Sequence, residues 1–434
     1  TQDSRPQPHD HARGLVLFVS GDGGWNLGVV DMARRIAPHA IVAGLSMPAW
    51  QKRAEKNGAR CWYPAGELEP AAQALEKRYG LPRYVPPILV GYSSGATVVY
   101  GALAQAPSTT FRGAVSLGFC PDLEVARPFC GKGDWKPSYD AKRRREWLPE
   151  RRDLVPEWHV LQGSIDQVCA ADATAAFVKA IPTAHLAWID KVGHGFSVPA
   201  RWGKAYDDAV AALLERESVF TPPPPAKLAR FEDLGLPLEI SWPDGAREAV
   251  VFVSGDGGWA ELDRAVASDL AARGIAVVGW NTLRYFWKAK TPEGFRADLE
   301  RLVAAIPPEV RVYVGGYSFG AEAVPAAIAG APRSGALSRL AGLVLLDPGP
   351  YATFEVSPLD WIGRGGGPTD HPVAPALARL AGLPVLCIDG AEDRDSGCHA
   401  ESVPGLVHDE VPGGHHFGGS FDAVAERIQH FIRE

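Results

Sequence analysis

Short apolar runs alternate with longer amphipathic stretches along the whole chain. In the second half, residues 249–253, 275–280, 310–315, 343–346 and 385–388 are β-rich runs predicted as strands. Between and after them, residues 260–273, 291–305, 321–329 and 420–432 carry helical spacing. The first half repeats the scheme, with strands predicted at 15–19, 41–45, 88–90, 114–117, 158–161 and 184–189 and helices at 96–104 and 204–217. Short strands separated by helices predict a mainly parallel, doubly wound α/β sheet in each half. Residues 236–242 alternate and end at the turn signal Pro243-Asp244-Gly245, which predicts an extra hairpin leading into 249–253. The first half has only a short polar lead before Leu15, so its sheet is expected to be trimmed at that edge.

A chain of 434 residues is too long for one compact core and suits two domains. The run Thr221-Pro222-Pro223-Pro224-Pro225 cannot donate backbone hydrogen bonds and favours a stiff, extended spacer. The expected division is a first domain at 1–217, a Pro-rich linker at 218–235 and a second domain at 236–434.

The two halves share an unusual phrase. Phe18-Val19-Ser20-Gly21-Asp22-Gly23-Gly24-Trp25 returns as Phe252-Val253-Ser254-Gly255-Asp256-Gly257-Gly258-Trp259. Each copy is followed by a G-x-S-x-G pentapeptide, Gly91-Tyr92-Ser93-Ser94-Gly95 and Gly316-Tyr317-Ser318-Phe319-Gly320. Each pentapeptide sits between a predicted strand and a predicted helix, the context that separates a nucleophile elbow from a chance match. Each half then reaches an aspartate after an apolar strand (Asp166, Asp393) and a Gly-His-x-Phe near its end (His194, His415). The serines lie about 225 residues apart, the aspartates about 227 and the histidines about 221, as a duplication requires.

A serine hydroxyl needs a base within reach, itself oriented by a carboxylate, and the order Ser, Asp, His is that of the α/β-hydrolase fold. Two tandem α/β-hydrolase domains account for the repeat. Ser318, Asp393 and His415 are the expected catalytic set, with Asp395 as reserve acid, and Ser93, Asp166 and His194 form a second possible set. The glycine-rich phrase falls where this fold places its oxyanion loop. Asp256, Gly257 and Phe319 are the expected oxyanion residues, with Ser94 in the place of Phe319 in the first copy. An aspartate there either caps the following helix or receives a cationic group of the substrate. Glu322, four residues after Ser318, is the other acid local to the site, and Arg284, in Arg284-Tyr285-Phe286-Trp287-Lys288, is placed to form a rim toward an acidic phosphodiester.

Net charge of −7 argues against a dedicated nucleic-acid binder. The basic run Lys142-Arg143-Arg144-Arg145 is either a solvated face or a contact for anionic lipid headgroups. No stretch approaches a membrane span. The polar opening at 1–11, starting on Thr1, reads as the ragged start of a processed secretory protein or a trimmed chain. Six cysteines are compatible with disulfides in an oxidising compartment. Short loops favour Cys120 with Cys130 and Cys387 with Cys398, leaving Cys61 with Cys169; buried free thiols are the alternative. No Cys/His cluster offers a metal site and no cofactor is expected.

The Ser-Gly-Asp-Gly-Gly-Trp string, the Tyr-Ser-Phe-Gly elbow, Arg284-Tyr285-Phe286-Trp287 and Gly-Gly-His-His-Phe resemble the VirJ/AcvB family of bacterial periplasmic virulence proteins. Residues 236–434 resemble the VirJ-type domain, and 14–217 the divergent extra domain of the longer members. The resemblance implies a periplasmic protein, soluble or peripherally bound to the membrane surface. It also implies hydrolysis of aminoacyl-phosphatidylglycerol, lysyl or alanyl. Short members imply a different role, a non-catalytic accessory of type IV secretion with secretion components as partners. A general lipase or thioesterase is the further alternative.

Overall fold

The computed structural model describes residues 13–55, 60–215, 229–330, 332–356, 371–380, 382–394, 396–399 and 405–434. The proline run at 221–225 and the reserve acid Asp395 lie outside them. The chain divides into two compact units, Thr1–Phe220 and Thr221–Glu434.

In the first unit, β1 (Leu15–Val19), β2 (Ile41–Leu45), β3 (Ile88–Tyr92) and β4 (Gly113–Leu117) precede three short strands. These are β5 (Asp122–Glu124), β6 (Ser138–Asp140) and β7 (Arg145–Trp147); then come β8 (Glu157–Gly163) and β9 (Ala184–Ile189). The main sheet has the order β2-β1-β3-β4-β8-β9, and every neighbouring pair is parallel. Leu15, Leu17 and Val19 point into one core and Val16 and Phe18 into another. Helices Pro64–Arg78 and Ser94–Gln105 contribute to the first core, and Leu27–Ile36 and Pro199–Glu215 to the second. With both faces covered, β1 reads as one continuous apolar run rather than an alternation. Strands β5, β7 and β6 form a separate small antiparallel sheet that periodicity did not foreshadow, because three-residue strands carry almost no pattern. The basic run lies at its β6–β7 turn, where Arg144 pairs with Glu55 at 2.6 Å and Arg145 with Asp122.

The second unit contains β10 (Leu238–Ser241), β11 (Glu248–Val253), β12 (Ala276–Trp280), β13 (Arg311–Tyr317), β14 (Leu340–Leu346), β15 (Val385–Gly390) and β16 (Leu406–Val411). Their order is β10-β12-β11-β13-β14-β15-β16, so this sheet is one strand wider than the first. The extra strand is not half of a hairpin as expected. β10 pairs antiparallel with β12, on the far side from β11, so it is the edge strand and β12 lies between it and β11. β16 was not anticipated either: as an edge strand it exposes the polar stretch His408-Asp409-Glu410, which interrupts the apolar signal. The expected linker also ends too late at 235. Ala229–Glu232 already forms a helical turn whose Phe231 is buried against Trp242 in the second unit.

All six cysteines are paired, as Cys61–Cys130, Cys120–Cys169 and Cys387–Cys398. The expected pairs Cys120–Cys130 and Cys61–Cys169 are therefore wrong. The Trp62 N–H donates to Pro128 and the Cys130 N–H to Trp62, which brings Cys61 beside Cys130 despite a sequence separation of 69. Loop length foretells only Cys387–Cys398; the other two bridges follow from which segments the fold brings together. Among the described residues no helix is long and apolar enough to cross a membrane.

Candidate active site

In both units the serine sits between a strand and the helix it launches. Ser93 (φ 55°, ψ −124°) and Ser318 (φ 49°, ψ −116°) hold the strained left-handed backbone of a nucleophile elbow. A Cβ at Gly95 or Gly320 would collide with the carbonyl of Val19 or Val253, so the helix can approach the neighbouring strand only where those side chains are absent.

The repeated phrase is held in the same way in both units. Ser20 and Ser254 accept from the N–H groups of Met47 and Thr282, fastening the loop to the end of the adjacent strand, 3.0 Å in each case. Trp25 and Trp259 lie flat on Gly44 and Gly279, where a methyl group would strike the indole. In the second unit Asp263 accepts from the N–H of Ala260 and so caps the helix Glu261–Ala272; Asp256 is not its cap. Asp256 instead lies close enough to His415, Tyr317 and Glu322 to raise the pKa of each. The N–H of Phe319, the first of its helix, has no helical acceptor by position.

The first unit assembles a complete relay. His194 Nε2 is 2.9 Å from Ser93 Oγ, and its Nδ1 is 2.9 Å from Asp166 Oδ2. The Asp166 carboxylate is buried and also accepts from the N–H groups of Val168 and Cys169. The Cys120–Cys169 disulfide ties this acid loop to the loop after β4.

The second unit differs at the acid. His415 Nε2 is 2.9 Å from Ser318 Oγ, but its Nδ1 faces two carboxylates, Asp347 at 3.2 Å and Asp393 at 3.4 Å. Asp347 follows β14 where Gly118 follows β4, and both have positive φ (45° and 62°). It is buried, and its Oδ2, the atom paired with His415, makes no hydrogen bond among the described residues. Asp347 leaves no trace in the repeat, because the equivalent position of the first copy is Gly118 and the match emerges only from the two strands that precede them.

Two more residues carry the site. Tyr92 and Tyr317, each one place before its serine, donate at 3.1 Å to the carbonyls of His194 and His415. The signal was available, since both pentapeptides read Gly-Tyr-Ser. Glu322 is part-buried and accepts from the Gly349 N–H at 2.9 Å. Burial, reinforced by Asp256, pushes its pKa up to about 7. Arg284 does not belong to an aromatic rim: Tyr285, Phe286 and Trp287 are buried in the second unit's interior, with Phe286 against Phe295 and Phe319. Arg284 itself acts on Glu239 of β10.

The Asp347 carboxylate raises the His415 pKa; burial opposes it, and Asp393 and Asp256 add to it. A general base must be neutral, so kcat/KM at Ser318 is expected to rise with pH through a midpoint above the usual histidine value of about 6.5. Asp347→Asn should move that midpoint down, and a pH profile of the two proteins checks it. The same raised pKa contributes stability that is fully present below the unfolded-state value and disappears as pH rises through the folded one.

Residues 248–434 match the family model described as bacterial virulence protein (VirJ). No match was found among curated proteins. Among solved structures, Est1E from Butyrivibrio proteoclasticus is similar at 18% identity and a TM-score of 0.35, over 45% of this chain and 94% of that one. A lipase-esterase related protein from Clostridium acetobutylicum is similar at 15% and 0.35, over 45% and 99%. A dienelactone hydrolase from Anabaena variabilis is similar at 19% and 0.34, over 45% and 90%. Residues 248–434, most of the second unit, are thus similar to the bacterial virulence protein (VirJ) family.

Proposed function

We propose that the second unit is a periplasmic serine esterase that cleaves the aminoacyl ester of lysyl- or alanyl-phosphatidylglycerol. The observation that carries this reading is the surplus of negative charge around one complete relay. Ser318 and His415 are accompanied by Asp256, Glu322, Asp347 and Asp393, whereas an uncharged ester needs a single carboxylate. An aminoacyl ester carries an ammonium beside the scissile carbonyl, and such a group is what the additional acids would receive. Three disulfides suit an oxidising compartment.

Ser318 Oγ attacks the ester carbonyl as His415 Nε2 takes its proton, and the Phe319 N–H receives the developing oxyanion. The acyl C–O bond then breaks and His415 returns the proton to the departing glycerol oxygen. Water, deprotonated by the same imidazole, releases the amino acid and restores Ser318.

The test is release of lysine from lysyl-phosphatidylglycerol vesicles by the full chain, set against a neutral acyl ester. Glu322→Gln keeps an oxygen for the Gly349 N–H and removes only the charge. At pH 8, with Glu322 ionised, it is expected to slow the aminoacyl ester by roughly 10- to 100-fold, the worth of one charge-assisted contact, while sparing the neutral ester. Equal slowing of both would assign Glu322 to structure.

A further inference from the structure

Both sites keep the aspartate of the repeated phrase, Asp22 and Asp256, but their other surroundings differ, at positions that correspond one to one. Four residues after the serine, the first unit has Thr97, whose hydroxyl donates to the Cys120 carbonyl at 2.7 Å; the second has Glu322. After the next strand the first has Gly118 and the second Asp347. Immediately before the shared aspartate the first has Ile165, 59% exposed, and the second the exposed Glu392. Glu322 and Asp347 of the second site are therefore a hydroxyl and a hydrogen in the first, and the exposed Glu392 is an alkyl group there.

Exposed alkyl groups also flank the first relay in sequence on both sides. Ile165 and Val168 (68% exposed) bracket Asp166, and Val198 (48% exposed) follows His194 by four residues. The Ile165 N–H donates to the Val192 carbonyl, which seats this loop beside Gly193 and His194. The acid loop that presents Ile165 and Val168 is fixed by the Cys120–Cys169 bridge and by two backbone donors to Asp166, so exposed apolar surface is held beside the acid of an assembled relay. Apolar side chains kept in water beside a reactive group mark a place where an apolar ligand replaces that water.

We infer that the first unit is a second, independent esterase whose substrate is a carboxylic ester with an uncharged, apolar acyl chain. Ser93 Oγ attacks the acyl carbonyl and His194 Nε2 takes the hydroxyl proton. The bond from the acyl carbon to the alcohol oxygen breaks, and His194 protonates that oxygen as the alcohol leaves. Water then adds to the acyl-serine, giving its proton to His194, and the free carboxylic acid departs as Ser93 recovers its proton. No co-reactant beyond water is needed. The division of labour goes beyond the aminoacyl-ester reading of the second unit and does not require it.

The test uses the full chain with Ser318→Ala to silence the second unit, and the probes are p-nitrophenyl acetate and p-nitrophenyl octanoate. Octanoate hydrolysis is expected to persist in this background and to fall by roughly 10³-fold or more when Ser93→Ala is added. Ile165→Thr with Val168→Thr, which shortens the exposed alkyl groups without adding charge beside Asp166, is expected to raise KM for octanoate several-fold more than KM for acetate. Circular dichroism and thermal melting establish that each variant is folded. A folded Ser318→Ala chain without octanoate hydrolysis overturns the inference, as does hydrolysis that survives Ser93→Ala. Equal changes in KM for acetate and octanoate on Ile165→Thr with Val168→Thr overturn the apolar-chain assignment. Lysine release from lysyl-phosphatidylglycerol by the unmodified chain is read separately, so failure of one assignment leaves the other standing or fallen on its own data.

Discussion

Ser318→Ala is expected to lower release of lysine from lysyl-phosphatidylglycerol by about 10⁴-fold or more, the usual consequence of removing a triad nucleophile. The side chain is small and the strained backbone is imposed by the crossing of β13 with the helix Phe319–Ile328, so the alanine variant should fold as the parent does. What remains is the contribution of binding and of the oxyanion donors, which do not depend on the hydroxyl. Steady-state turnover on mixed vesicles, with lysine quantified, decides the matter. Should Ser318→Ala keep near wild-type turnover while Ser93→Ala loses it, the aminoacyl ester belongs to the first unit.

The second large effect concerns the carboxylates behind the histidines, and it is expected to be strongly non-additive. With Asp347 and Asp393 both within 3.4 Å of His415 Nδ1, either one can hold the tautomer when the other is replaced. Asp347→Asn and Asp393→Asn should each cost little in kcat, on the order of 10-fold, whereas the double variant should approach the roughly 10⁴-fold loss seen when a lone triad acid is neutralised. In the first unit Asp166 stands alone, so Asp166→Asn should show the full loss on an apolar ester in one step. A double-variant cycle on kcat measures this directly. Losses that simply multiply would mean that the two aspartates do separate work, one on the imidazole and one elsewhere.

The sheets, the elbows and the relay histidines were legible because the duplication displayed each twice, in the same order and at nearly the same spacing. Regions that are not shared were read less well. β10 was assigned to the neighbouring strand because a hairpin is the shortest connection, while its actual partner, β12, had still to be formed in sequence. The aromatic residues at 285–287 looked like a surface rim because a polar residue stands on either side, but their rings fill a cavity between helices that only the fold defines. Asp347 was hidden for a related reason: a glycine in one copy and an aspartate in the other do not look alike until both are seen to follow the same strand with the same left-handed backbone.

The tether four residues beyond each serine has opposite polarity in the two units. Thr97 gives its hydrogen to a carbonyl, and Glu322 takes a hydrogen from an amide, although both reach the third residue after the corresponding strand. A carboxylate placed at 97 would therefore meet an oxygen rather than an N–H, and relief would require the peptide at Cys120 to turn over. Gly349 is unencumbered by a side chain, but Cys120 is cross-linked to the acid loop and cannot turn without dragging Asp166 with it. The two tethers are thus not interchangeable: the carboxylate that suits the second unit would lose its partner at the same place in the first.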